Sequence, residues 1–496
     1  MTGRKRKSKS GFLLKLGLFI IILLIVFFGI QFVTKTGIFH VPGVVIYDES
    51  LSESEIEKLS SIFTEDIELD KDVTISAAYS FNKPELGEGA YLESIEVPVA
   101  DFYSTDTNIN IESPELLYAD PYVSEVDYEM TGIDELDSKV KLLSINDDYY
   151  LDELDSGAVF RTITFKSEKF AEEILPLVDE EFSRSFPTSD TVLTFAQTGV
   201  TALSRGMNAK LYSVGDATYF AENVKSYLSG FDLTHTSNES SFADSANADN
   251  ICSDKRFINT LTAIGLDIVE LTGNHNQDCG NQAALYTLDI YDENNIQVVG
   301  GGRNSEEAAK PLEISQKGNN ITFLAYNLST GGATYGDAPG ANQYYEENAV
   351  SEINSAKERG DFVIVDIQYY ECSNYVFESE NTICDYANSS AGDQVGFFRH
   401  LIDLGADLVV GTSAHQPQTF ETYGDGVIYY GLGNLFFDQY WWPGTTRSLI
   451  LSHYFYNGKL LQTKLVPTVY DINLQTSLMD EEDAKWFVSR LIQARP

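Results

Sequence analysis

Three short stretches of this 496-residue chain set ionisable and hydrogen-bonding side chains directly behind apolar runs. Leu271-Thr-Gly-Asn-His-Asn-Gln-Asp-Cys-Gly280 carries Asn274, His275 and Asp278, and Val363-Ile-Val-Asp-Ile-Gln-Tyr-Tyr-Glu-Cys372 carries Gln368 and Glu371. Gly405-Ala-Asp-Leu-Val-Val-Gly-Thr-Ser-Ala-His415 carries Ser413 and His415 and leads on to Gly431-Leu-Gly-Asn434. Strands that end this way deliver such residues to the carboxyl edge of a sheet, where open α/β folds build their sites. His275 beside Asp278 suits proton transfer as an oriented base or acid, with Glu239 or Glu371 as a second protonatable group. Glu239, Asn274 and His415 together offer a carboxylate, an amide oxygen and an imidazole to a single divalent cation. Arg205 presents a planar fork for a carboxylate or phosphate. Ser413 stands two residues from His415, a spacing that shares one face of a strand and permits a nucleophile–base pair.

The elements that must position these residues alternate along the second half of the chain. Strands are expected at 192–196, 232–236, 267–271, 321–326, 362–367 and 408–410, and helices at 220–228, 255–264, 282–291, 349–358 and 395–404. Such alternation predicts parallel pairing with right-handed crossovers. Segments 427–430 and 449–456 read as antiparallel and edge-like, giving a mixed sheet or two stacked sheets. Before them, 44–187 reads as a smaller, acidic α+β domain with a helix at 53–63 and alternating strands near 73 and 159–165. Its dispersed carboxylates read as a solvated face. Phe186-Pro-Thr-Ser-Asp190 is the expected linker, 191–470 the site-bearing domain, and 471–496 a C-terminal helical segment.

Composition narrows the partners. Seventy-five acidic against 33 basic residues give a net charge of −42, which argues against nucleic acid as a partner. Arg4, Lys5, Arg6, Lys7 and Lys9 form a basic tail over 1–15, ahead of an apolar run at 16–33. Eighteen helical residues span roughly 27 Å, enough for a bilayer. The reading is a single-pass anchor with a cytoplasmic N-terminus, a stalk at 34–43 and an extracytoplasmic remainder; a cleaved signal peptide is the rival. Four cysteines outside the cytosol permit disulfides: Cys372 with Cys384 across a short loop would leave Cys252 to Cys279. His400, His453 and His40 read as surface or core residues, whereas His235 is a candidate lining residue. The Phe436–Pro443 stretch either walls the site or caps the core.

Residues 192–467 resemble the CapA family of capsule or poly-γ-glutamate synthesis proteins. Leu271–Gly280 is similar to that family's Asn-Asn-His-x-x-Asp-x-Gly turn, and 405–423 to its Gly-Ala-Asp-x-Val-x-Gly-x-His-Pro-His segment with Glu-x-Tyr. Ile428–Phe437 resembles its Tyr-Ser-Leu-Gly-Asn-Phe signature, and Ser237-Asn-Glu239 its Asn-Leu-Glu. The resemblance implies a calcineurin-like mixed-sheet α/β domain, layered sheets flanked by helices, carrying a metallophosphoesterase-type site. Several ligand positions depart from the pattern. The first strand ends Gln197-Thr-Gly-Val-Thr-Ala-Leu-Ser-Arg205 without the family's acid, Gln368 replaces a histidine, and Ser413 replaces the first histidine of His-Pro-His. A binuclear centre needs bridging carboxylates and several imidazoles to offset cation repulsion. The set here supports one divalent ion on Glu239, Asn274 and His415, or none.

The implied role is making, attaching or exporting an anionic surface polymer at the cell membrane, alongside other polymer-synthesis proteins. Two classes of activity follow. One is a hydrolase or transferase using His275, Glu239 and Asp278, with Arg205, Gln368, Glu371 and Ser413 holding substrate. The other is a non-catalytic binding or assembly factor on the same fold. A surface phosphatase unrelated to polymers is a third.

Overall fold

The computed structural model describes residues 44–63, 67, 69, 71–114, 116–119, 126–182, 184–244, 246–329, 331–369, 393–441 and 443–496. The basic tail, the 16–33 run, the stalk, Glu371, Cys372 and Cys384 lie outside them. Among the described residues no helix is long and apolar enough to cross a membrane.

The chain forms two compact units. The first comprises residues up to Glu96 together with 112–119 and 158–186; the second takes 97–111, 120–157 and 187–496. The first unit's last segment ends at Phe186 and the second unit resumes at Pro187.

In the first unit β1 (Val45–Tyr47) pairs parallel with β2 (Val73–Ser80). Strand β4 (Val159–Lys166) runs antiparallel between β2 and the first part of β3 (Ala90–Asp101). Helix α1 (Glu53–Ile62) begins with a capping box in which Ser52 and Glu55 satisfy each other's backbone donors. With α2 (Leu175–Phe182) it covers a core of Leu59, Val73, Ile75, Phe165 and Val178.

The second unit begins its layers with β5 (Leu193–Thr201), α3 (Gly206–Val214) and β6 (Leu233–Asn238). There follow α4 (Ile258–Ala263), β7 (Ile268–Glu270), α5 (Asn281–Glu293), β8 (Gln297–Val299) and the hairpin β9 (Leu312–Gln316) and β10 (Asn319–Asn327). Then come α6 (Glu346–Arg359), β11 (Phe362–Gln368), α7 (Gln394–Asp403), β12 (Leu408–Gly411), β13 (Phe420–Tyr423) and β14 (Gly426–Tyr429). The chain closes with β15 (Asn434–Phe436), β16 (Arg447–Tyr456), β17 (Lys459–Tyr470), β18 (Thr476–Leu478) and α8 (Glu481–Gln493).

Two stacked sheets result. One runs β8-β7-β6-β5-β16-β17-β18, with β15 also beside β5; the other runs β9-β10-β11-β12-β14-β13. Strands β8 to β5 are parallel, as are β10, β11, β12 and β14. Between the sheets Phe195, Leu233, Phe323, Ile364 and Leu449 form a dry core. Helices α3, α4 and α5 cover one outer face through Met207, Leu261 and Leu288, and α6 and α7 cover the other through Ile353, Phe398 and Leu401. Covered on both faces, parallel strands such as β11 and β12 carry short apolar runs, which is why they are legible in the sequence.

Four expectations need correcting. The 427–430 strand is not an antiparallel edge: β14 lies parallel to β12, with β13 outside it. The 449–456 strand is antiparallel but central, held between β5 and β17. Segment 220–228 breaks into a 3₁₀ turn at Ala217–Ala221 and one helical turn at Lys225–Leu228. The C-terminal segment likewise starts with a strand, β18, before its helix.

Candidate functional site

Side chains alternate across a strand, so the register that buries Phe195 and Leu233 between the sheets also turns Gln197 and His235 inward. The same alternation turns Asp366 inward from β11 behind Ile364. These three meet, fully buried: Gln197 Nε2 donates to Asp366 Oδ1 at 2.6 Å, and His235 Nε2 lies 3.1 Å from Asp366 Oδ2. The imidazole is not aligned for a hydrogen bond, so that contact is electrostatic only. His453, on the neighbouring β16, stacks on Phe195, and its Nδ1 bonds Thr463 Oγ1 at 2.8 Å. Burial, and then the nearby His235, push its pKa down to about 3, so it stays neutral.

Glu270 ends β7 beside this cluster and accepts from the backbone and hydroxyl of Thr272. Burial, with the Asp366 charge next, pushes its carboxyl up to about 7. An unfolded glutamate ionises above about 4.3. Between there and 7 the folded chain holds a proton that the unfolded chain has released, so stability falls as pH rises across that window. The shift corresponds to roughly 3 kcal/mol. Glu270→Gln keeps the acceptor that Thr272 needs and removes the titration. It is expected to stabilise the protein at pH 8 and to change little at pH 5, as read by denaturant midpoints; an equal effect at both pH values would refute the assignment.

Above the buried cluster, loops after the strands bring the predicted residues together. Gly273 packs so closely on Glu239 that a Cβ would sit 2.7 Å from the Glu239 Cα, which only glycine allows. Asn274 follows, and its Oδ1 accepts from Gln368 Nε2 at 3.1 Å. Glu239 Oε2 lies 3.8 Å from His415 Nε2. His415 Nδ1 bonds Asn434 Oδ1 at 2.9 Å, and Asn434 is oriented by Gln439 and the Thr445 carbonyl. Gly199 lets β5 cross this loop, since a side chain there would overlap the Gly433 carbonyl. His275 is partly exposed, its Nδ1 2.8 Å from Asp278 Oδ2, as its spacing suggested. A disulfide joins Cys279, next to Asp278, to the buried Cys252, Cα atoms 6.2 Å apart, and pins this turn. Cys252→Ser is expected to cost about 2–4 kcal/mol, checked by thermal melts with and without reductant.

Other residues have different surroundings from those foreseen. Arg205 turns its fork inward, Nε and Nη2 reaching Asp438 Oδ1 at 3.1 and 2.5 Å, while Gly206 N holds the other oxygen. The guanidinium lies 4.4 Å from the centre of Phe437 and is therefore already committed. Ser413 is buried beyond the end of β12, in irregular backbone, so no strand geometry pairs it with His415. Phe437 packs on His415 at 5.2 Å, placing the aromatic stretch at the site wall. Sequence reasoning missed Asp366, Glu270 and Gln197. The available signal was a charged or amide residue at an inward position of an otherwise apolar strand.

Among the described residues the strong donors near a metal position are few. Val200, where the resemblance would put a Gly-Asp carboxylate, is 1% exposed and packed with Ala202 and Phe437. Asn274 Oδ1 accepts from Gln368 and keeps a second lone pair, while Glu239 and His415 are the stronger donors. Among the described residues no three His, Cys, Asp or Glu side chains gather in a ligand group.

Two sheets sandwiched by helices, with a polar crevice at the strands' carboxyl ends, define a layered metallophosphoesterase-like α/β domain. Residues 194–439 match the family described as bacterial capsule synthesis protein PGA_cap, and the chain belongs to that family. It is 25% identical over 207 residues to the capsule biosynthesis protein CapA of Bacillus anthracis, covering 40% of this chain and 47% of that one. It is 27% identical over 208 residues to the PGA biosynthesis protein CapA of Bacillus subtilis (strain 168), covering 41% and 51%. The match thus spans about half the length of these relatives.

Proposed function

We propose that this chain serves the synthesis, attachment or export of an anionic surface polymer, capsule or poly-γ-glutamate. In this reading its crevice binds a polymer segment through neutral hydrogen-bonding groups rather than through metal ions. The observation that carries it is a row of buried polar atoms at the ends of β10, β11 and β12. Asn327 Oδ1, Gln368 Oε1, Thr412 Oγ1 and Ser413 Oγ have no hydrogen-bond partner among the described residues. Strand neighbours Asn327 and Gln368 stand side by side, and the Thr412 backbone bonds β11. Buried amide oxygens without donors are costly, so they favour a ligand rich in N–H groups, such as a polyamide backbone. A chain of net charge −42 repels a polyanion, which makes recognition through amides more effective than recognition through charge.

The names of the Bacillus relatives support the polymer role. The 16–33 run behind its basic cluster, and the Cys252–Cys279 disulfide, support an anchored position outside the cytoplasm. The exposed His275–Asp278 pair supports a second reading, metal-free hydrolysis or transfer at an amide or ester of the bound segment.

The test titrates γ-glutamyl oligomers and model phosphoesters against the full chain, and follows turnover. Gln368→Ala is expected to weaken oligomer binding about tenfold, the worth of one or two hydrogen bonds. His275→Ala is expected to leave binding intact and, where turnover exists, to lower it by about 10²–10⁴. Phosphoester turnover without oligomer binding would overturn the proposal.

A further inference from the structure

A second cavity, of about 200 Å³, opens in the second unit apart from the crevice residues. Phe102, Phe420, Tyr429, Leu465 and Val488 give it a mostly apolar wall, and Lys141 projects into it. The other charged groups around it are Lys464, Lys485, Glu481 and, beside Lys485, Asp106. Lys464 is paired with Asp152 at 2.6 Å and Lys485 with Asp106 at 3.6 Å. Lys141 differs: its Nζ donates to the Ser104 carbonyl at 2.9 Å and makes no ion pair with a carboxylate among the described residues. Burial pushes its pKa down to about 8.

Among the described residues no carboxylate pairs directly with this ammonium: Asp106, which attracts it, is shared with Lys485, so an anion entering the apolar void is drawn to Lys141. The void itself supplies the room for such an anion. Its volume is many times what a single water needs, room for a ring or a short acyl chain with its carboxylate. We propose that this cavity binds a small monocarboxylate, its apolar body among Phe102, Phe420, Tyr429 and Val488 and its carboxylate on Lys141. The arrangement of a few polar groups in an otherwise apolar pocket is that of an ordinary small-molecule site. This inference is independent of the polymer reading.

Benzoate, with benzamide as its uncharged isostere, tests it by calorimetric titration of the full chain. Benzoate is expected to bind one to one with a Kd of about 1 mM or tighter, and benzamide at least about tenfold more weakly. Lys141→Met, which keeps the stem, is expected to weaken benzoate about tenfold while leaving the melting temperature unchanged or raised. Val488→Trp, which fills the void from α8, is expected to abolish binding of both. Equal binding of benzamide and benzoate, an unaltered affinity in Lys141→Met, or no saturable binding of benzoate at about ten times that Kd would each overturn the proposal.

Discussion

Replacing Asp366 with alanine is expected to destabilise the second unit by about 3 kcal/mol, measured as a shift in denaturant midpoint at unchanged slope. Its carboxylate is the one strong acceptor between the two sheets that both Gln197 and His235 face. Truncation leaves a buried amide and a buried imidazole without it, and the penalty for stranding such groups exceeds the net value of the bonds themselves. Asp366→Asn keeps the volume and an acceptor for Gln197, and so is expected to cost about 1 kcal/mol or less. The asparagine variant also removes a charge that raises the Glu270 pKa. Its stability should therefore depend less on pH between about 4.3 and 7 than that of the wild type. An alanine variant within about 0.5 kcal/mol of wild type would show that water or a rearranged His235 already satisfies the cluster.

What the sequence made legible, and what it hid, divides along physical lines. Strands such as 362–368 and 319–327 are covered on both faces, so their apolar stretches 362–365 and 323–326 announce them. Helices at 281–293 and 346–359 carry the 3.6-residue pattern of a half-covered face. Strand β17 mixes buried and part-buried positions without strict alternation, so no local pattern announces it. Parallel or antiparallel pairing of 427–430 depends on which neighbour it meets, a fact no local pattern contains. The family motif marks Asn274, Glu239 and His415, and Glu239 and His415 approach to 3.8 Å because each follows a strand end. Asp366 was quoted within its segment and passed over, since one acid in an apolar strand reads as an interruption until its partners on β5 and β6 are known. Arg205 failed in the opposite sense: its fork was recognised, but Asp438, 233 residues later, was not foreseen as the anion that fills it.

The substitution at Val200 ties the site's chemistry to its packing. Val200 lies against Ala202 and Phe437, and Phe437 in turn packs on His415, so an apolar wall occupies the place of a metal-binding carboxylate. Val200→Asp is expected to cost about 3 kcal/mol or more in metal-free buffer, because it buries a carboxylate in a wall that offers it no donor. It also returns a third strong donor to the neighbourhood of Glu239 and His415, which already stand 3.8 Å apart. Carboxylate and imidazole together suit Mn²⁺. Manganese at about a hundred times its Kd should then restore about 2.7 kcal/mol to the variant, while leaving the wild-type melting temperature unmoved. Equal stabilisation of both proteins would mean that the wild-type donors hold an ion without Val200's replacement, and the metal-free crevice would have to be abandoned. A destabilised variant indifferent to manganese would instead show that Val200 does not face Glu239 and His415, and the family's ligand geometry would not extend to this chain.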